Sequence, residues 1–355
     1  MNRRAAKRLR ACWRARKSPT KRAPLPNGCS PAPRRRSPRH RAMRPSAPRP
    51  SPLTTLMKTN AREFTIGIAC ALSVVVLWSS FHIISRVGVQ TSLSPFDLVA
   101  LRLGVGGVLM LPVLLRYGLG HLQLWQAIVL AMLAGPGFAL FAFTGYQFAP
   151  AAHGAAILAG AIPLFAAPLA WIALGERLRR WQIVGLIVIV TGVALLTGDS
   201  FTGLTGLIWR GDLLFIFGVA DWAVFTVLAR AWRVEPVRGT AMVAVISMIT
   251  YVPLHFAFLP SRFDTAPLLD IAGQAVFQGF FSMIISLLLF TRAVAALGAS
   301  LTTTITAAVP ATATIAAFIL LGEPLTGLAS GGVILVTIGM LAAVLGGRPA
   351  AAKTP

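Results

Sequence analysis

Two stretches decide how this chain is read: Ala161-Ile-Pro163-Leu-Phe-Ala166 leading to Leu174-Gly-Glu-Arg-Leu178, and Ala308-Val-Pro310-Ala-Thr-Ala313 leading to Leu321-Gly-Glu-Pro-Leu325. They lie 147 residues apart, and at that offset Gly185 and Gly192 fall on Gly332 and Gly339 with no gap. A second match, at offset 144, sets Trp78 to Arg86 on Trp222 to Arg230. Self-similarity at a fixed offset marks a chain assembled from structural repeats.

Composition says what the repeats are made of. Of the 355 residues 56% are hydrophobic and only 12% charged, with mean hydropathy +0.74, whereas soluble domains carry about 25% charged residues. An ordinary soluble enzyme is excluded. A hydrocarbon core of about 30 Å needs roughly 20 apolar residues per helical crossing, and ten runs bounded by charge, Pro or Gly meet that need. They are expected at 66–85, 95–115, 124–145, 151–174, 180–197, 211–230, 238–259, 271–291, 299–321 and 325–346. Each half then holds five helices. Five is odd, so the second half enters the membrane from the opposite side. The expected fold is all-α integral membrane: ten transmembrane helices as two inverted five-helix repeats, 64–197 and 211–346, joined by a linker at 198–210. An inverted repeat with a site near the midplane is how secondary transporters are built, because exchanging the conformations of two similar halves opens the site to alternate sides.

The formal charge of +23 is unevenly placed, since residues 1–57 hold 17 of the 33 Lys and Arg, 10 of the 24 Pro and none of the 10 acidic residues. Repelling charge and Pro predict a disordered basic tail without the apolar core of a cleaved secretory signal. The favoured reading is that translation starts at Met57 and the tail is a start-site artefact; binding of anionic lipid or nucleic acid is the alternative. No nucleic-acid partner is assigned. Cys12, Cys29 and Cys70 form no CxxC pair and have no His at ligand spacing, so neither a disulfide framework nor a metal site is expected. With the N-terminus inside, twelve basic residues after Met57 fall on inner segments and only Arg86, Arg210 and Arg262 on outer ones. This positive-inside bias places both termini, including the 347–355 tail, in the cytoplasm of a bacterial cell with the chain in its inner membrane.

Candidate functional residues are the polar ones at membrane depth. Asp221 stands about 13–15 Å deep at 1.5 Å per residue, as a proton-coupling carboxylate, a partner for a cationic substrate group, or half of a structural pair with an Arg. Arg102 either snorkels to headgroups or turns inward to a substrate carboxylate or to Asp221. Trp78, His82 and Ser85 share one face of the first span, and Trp222 is the repeat mate of Trp78. Gln274, Gln278, Ser282 and Ser286 step by four along the eighth span, a slowly winding polar stripe suited to cavity lining or to interhelical hydrogen bonds. Pro163 and Pro310 stand mid-span in symmetric helices, where each removes a backbone donor; gating or cavity shaping competes with a static kink. Glu176 and Glu323 read as loop and helix-start residues at the membrane surfaces. Glycines 135, 137, 154 and 160 allow close helix approach without a strict dimer motif.

The residues of the repeat also carry a resemblance. A first span ending LWSSFHIISRVGV, a second opening SPFDLVALR, the IP motif ahead of LGERL and LGEPL, and Gly185, Gly192, Gly332 and Gly339 together resemble the drug/metabolite transporter superfamily, in particular its ten-helix EamA-type members. The resemblance covers residues 64–346. It implies a central cavity built by the first four helices of each half, the fifth and tenth more peripheral, and export or exchange of small metabolites, amino acids or drugs. One departure is Arg177 becoming Pro324 in the second half.

No phosphate-binding loop, nucleophile–base pair or HExxH motif is present, so no enzyme and no cofactor is expected. The leading reading is export of small organic metabolites by alternating access, with a proton favoured over sodium because Asp221 titrates and no sodium cage is visible. Uptake or exchange by the same fold, a non-transporting membrane sensor or scaffold, and an intramembrane enzyme pairing Asp221 with His82 are the alternatives. A small-molecule substrate and the lipid bilayer are the expected partners, and a homodimer stays open.

Overall fold

The computed structural model describes residues 52–176, 178–202 and 207–346. Most of the basic tail, Arg177, residues 203–206 of the linker and the 347–355 tail lie outside the described residues. Among the described residues there is no strand, and ten helices are long and apolar enough to cross a membrane: α1 (Arg62–Thr91), α2 (Pro95–Tyr117), α3 (Leu124–Phe148), α4 (Ala151–Leu174), α5 (Arg180–Gly198), α6 (Ile208–Ala231), α7 (Pro236–Phe258), α8 (Leu268–Leu297), α9 (Ala299–Leu321) and α10 (Gly327–Gly346). Large apolar side chains such as Val76, Ile172, Phe258 and Leu320 face outward, as they must where lipid is the solvent.

Local chemistry sets the helix ends. Ser94 caps α2 in a reciprocal box with Asp97, followed by Pro95 in the first turn, where a missing N–H costs nothing. Glu235 caps α7 through the amides of Val237 and Arg238. Gly175 and Gly322, repeat mates, close α4 and α9 at φ +70° and +65°, a backbone state that suits Gly. Two spans end six residues beyond their expected limits. Helix α1 continues to Thr91 rather than stopping near 85, because Arg86 and Gln90 are satisfied by protein: both donate to the Tyr146 carbonyl. Helix α8 runs to Leu297 instead of 291.

Helices α4 and α9 are each interrupted at the position the repeat predicts. The first breaks at Ala161, the second at Ala307 and Ala308, and Pro163 and Pro310 stand in the opening turn of the segments that follow. The breaks approach each other: a Cβ on Gly160 would lie 3.4 Å from Pro310 Cγ. Wider π turns, which the sequence did not disclose, occupy Leu133–Gly137 in α3, Ala155–Ala159 in α4 and Val276–Ile285 in α8.

Helices α5 and α10 pack backbone to backbone. A Cβ on Gly185 would sit 2.5 Å from the Ala343 nitrogen and 2.7 Å from the Gly339 carbonyl; one on Gly192 would sit 2.7 Å from the Gly332 carbonyl. The contacts come in mates: Gly185 with Ala343 answers Leu196 with Gly332, and Gly192 with Val336 answers Ile189 with Gly339. Applying the 147-residue offset to either member of a pair returns the other pair. That reciprocity is the signature of a two-fold axis between the helices, so the sequence repeat is also a spatial one.

Candidate functional site

The polar stripe on α8 is buried along its length: Gln274, Gln278, Ser282 and Ser286 are all under 10% exposed. Part of the stripe passes through the π turn, and its amides are engaged. Gln274 Nε2 donates to the Ile84 carbonyl at 2.8 Å and Gln278 Nε2 to Ser85 Oγ at 3.1 Å, both on α1. Arg102, half-buried on α2, turns inward instead of snorkelling: its Nη1 donates to Ser282 Oγ at 2.9 Å and lies 3.5 Å from both oxygens of Gln278. Its guanidinium sits 5.4 Å from the centre of the Phe81 ring, a cation–π contact. The structure therefore gathers Arg102, Gln274, Gln278, Ser282 and Ser85 into one belt between α1, α2 and α8.

His82 is brought to Tyr146 rather than to Asp221: its Nδ1 is 2.5 Å from the Tyr146 hydroxyl. Phe81 lies edge-on to His82, so the belt and this pair touch through one ring. Trp78 stacks on Phe290 of α8 at 5.5 Å, and Trp222 meets Phe138 of α3 at 4.9 Å. Since α1 corresponds to α6 and α8 to α3, the two tryptophans fill equivalent helix contacts.

Asp221 lies apart from the belt. Its Oδ2 is buried with no hydrogen-bond partner among the described residues. The carboxylate rests against the π turn of α3, where a Cβ on Gly137 would be 3.0 Å from Oδ2. On the other side of that turn Ser247 donates to the Ala131 carbonyl at 3.0 Å, and Gly135 leaves room for it. A carboxyl oxygen without a donor at membrane depth is stable when protonated or when a ligand supplies the donor. Among the described residues no group of three His, Cys, Asp or Glu could hold a metal.

Four charged or polar clusters tie the helix ends together and escaped the sequence reading. Asp97 is fully buried and accepts from Ser94 Oγ (2.7 Å), Ser94 N (2.9 Å), Ser261 Oγ (2.9 Å) and Arg262 N (3.0 Å), with His255 Nε2 3.2 Å away. His153 Nδ1 meets Asp212 Oδ1 at 2.9 Å, also buried. Glu323 pairs with Arg86 and accepts from the amides of Ala151 and Ala152, which makes it a cap on α4 and not on its own helix. Glu176 pairs with Arg230. One signal was available: the two repeat offsets, taken together, map Arg86 and Glu323 onto Arg230 and Glu176.

The profile of the EamA-like transporter family matches residues 65–198 and again 209–345. An uncharacterized transporter of Bacillus subtilis (strain 168), YyaM, is 29% identical over 260 residues, 70% of this chain and 84% of that protein. A second from the same organism, YwfM, is 27% identical over 267 residues, 74% of this chain and 88% of that protein. A solved crystal structure superposes with TM-score 0.55 at 21% identity, covering 80% of this chain and 97% of that one, a likeness of fold.

Proposed function

Because the chain belongs to the EamA-like transporter family, and is thereby a multi-pass membrane transporter, we propose that it exports small organic metabolites, amino acids or drugs across a bacterial inner membrane by alternating access. Both termini are cytoplasmic in this reading, following the bias of basic residues, and the functional units are the two repeats, 64–197 and 211–346. Asp221 is the coupling or substrate-contacting carboxylate. The Arg102 belt, with Gln274, Gln278 and Ser282, faces the solute from α2 and α8, with Trp78 and His82 on α1, while Trp222 stands beside Asp221 on α6. Pro163 and Pro310 are the hinge points at which α4 and α9 flex.

The observation that carries this reading is the unpartnered Oδ2 of Asp221 beside a widened turn. A structural aspartate recruits donors, as Asp97 does at the start of α2. One held without them is suited to exchanging a proton or meeting a cationic group. Proton coupling is the favoured mode, since a carboxyl can take up and release a proton and its charged form at membrane depth is costly without a partner.

Extracellular metabolite profiling of bacteria expressing the full chain tests it against an empty vector and an equally abundant Asp221→Asn variant. The expected result is one class of small solute accumulating outside, cut about tenfold or more in the variant, the loss that ~1.4 kcal/mol of differential stabilisation produces. Equal export by both proteins would make Asp221 structural.

A further inference from the structure

Arg86 and Glu323 recur, at offsets 144 and 147, as Arg230 and Glu176. The chain thus carries one guanidinium–carboxylate pair twice, once at each end of the bundle, and each pair joins one repeat's carboxylate-bearing loop to an arginine near the end of a helix. Both pairs are formed. Their surroundings differ. At the Glu323 end the two side chains are 20% and 12% exposed. There Glu323 Oε2 accepts from Ala151 N at 2.9 Å and Ala152 N at 3.4 Å, the amides that open α4 in the other repeat, while Arg86 also donates to the Tyr146 carbonyl at the end of α3. Ala151, Ala152, His153 and Gly154 are all buried. At the Glu176 end the paired side chains are 53% and 48% exposed, and Gly298, Ala299 and Ser300, where α9 opens, are exposed too.

The two helix starts are true mates. Pro163 follows the first residue of α4 by 12 positions and Pro310 the first of α9 by 11. The extra residue in α4 is taken up by the π turn at Ala155–Ala159, since such a turn is a one-residue insertion in a helix. Ala151 therefore corresponds to Ala299. A carboxylate at a helix N-terminus gains charge-assisted bonds to amides that have no partner within the helix, and the favourable end of the helix dipole. One end of the molecule uses that interaction; at the other, Glu176 pairs with Arg230 and the start of α9 at Ala299 is exposed.

We propose that Glu323 and Glu176 are reciprocal latches: Glu323 closes its end by seating on the amides that open α4, and in the opposite conformation it releases while Glu176 seats on those that open α9 at Ala299. The proposal rests on the alternating-access reading, because in an inverted repeat the two halves exchange conformations. Each latch stabilises one state only, so removing it shifts the balance toward the other.

The test is thiol accessibility in the full chain, with Cys12, Cys29 and Cys70 changed to Ser and a single reporter, Ala152→Cys or Ala299→Cys, labelled by a bulky water-soluble maleimide without any solute. Glu323→Ala is expected to raise the labelling rate at Ala152→Cys about fivefold or more and lower that at Ala299→Cys, as a population shift requires. Glu176→Ala is expected to lower the rate at Ala152→Cys. Rates that do not move, or that move together at both reporters, overturn the proposal. Glu176 is about half exposed, so its removal leaves the fold standing and that arm decides if Glu323→Ala costs the fold. Solute flux without reciprocal labelling would refute the latches and keep the transport reading; reciprocal labelling without flux would do the reverse.

Discussion

Asp97 and Asp221 show how one residue type is put to opposite uses at different depths. Asp97 collects donors from Ser94, Ser261 and the Arg262 amide and lies beside His255, so it fastens the start of α2 to the end of α7. Removing one member of a buried charged cluster costs about 3–5 kcal/mol, because the partners are left without their acceptor. Asp97→Ala is thus expected to lower the thermal midpoint in detergent by several degrees, whereas Asp221→Asn, which exchanges one unpartnered oxygen for an amide, is expected to leave it within about 1 kcal/mol while impairing transport. Equal midpoints for Asp97→Ala and the unmodified protein would contradict the first part. Sequence alone singled out Asp221, since depth follows from counting residues into a span. Asp97 carries no such mark, because its partners Ser261 and Arg262 are more than 160 positions away, and no local spacing encodes a contact of that kind. The same limit hid Tyr146 as the partner of His82.

Among the elements, α5 and α10 give the sharpest prediction. Gly185, Gly192, Gly332 and Gly339 let the two backbones meet where a Cβ would fall within 3 Å of the facing chain. Gly185→Val is expected to destabilise the protein by roughly 1–3 kcal/mol through overpacking. Gly273→Ala, where nothing lies within 4 Å of the new carbon, serves as the control and is expected to gain or lose less than about 1 kcal/mol. Similar midpoints for the two variants would refute the close approach. The helices themselves, the repeat and the breaks at Pro163 and Pro310 were legible because apolar length and Pro chemistry act locally. The π turns were not: a wider turn is imposed by packing, and a stripe at steps of four reads as slowly winding until the turn in α8 is seen. The far end of α1 escapes the sequence for a related reason, since a charge ordinarily marks water but Arg86 is satisfied inside the protein.

At the scale of the whole molecule, the two similar halves meet at ends that differ in burial. At the Glu323 end the carboxylate of one repeat caps a helix of the other and the ion pair is mostly buried; at the Glu176 end the mate of that pair is half exposed, where an ion pair contributes about 0–1 kcal/mol. A bundle symmetric in sequence whose two ends differ in burial is what the proposed alternating access leads one to expect of a conformation open to one side. The most direct test uses purified full-length protein in liposomes loaded with an isotope-labelled cell extract of small metabolites, with the labelled solutes that escape identified by mass. The expected result is that one chemically coherent class leaves protein-bearing vesicles and is retained by empty ones, and that release slows when the Asp221→Asn variant replaces the unmodified chain. Release indistinguishable from that of empty vesicles across amino acids, nucleosides and organic acids, or leakage of every solute alike, would contradict a selective transporter.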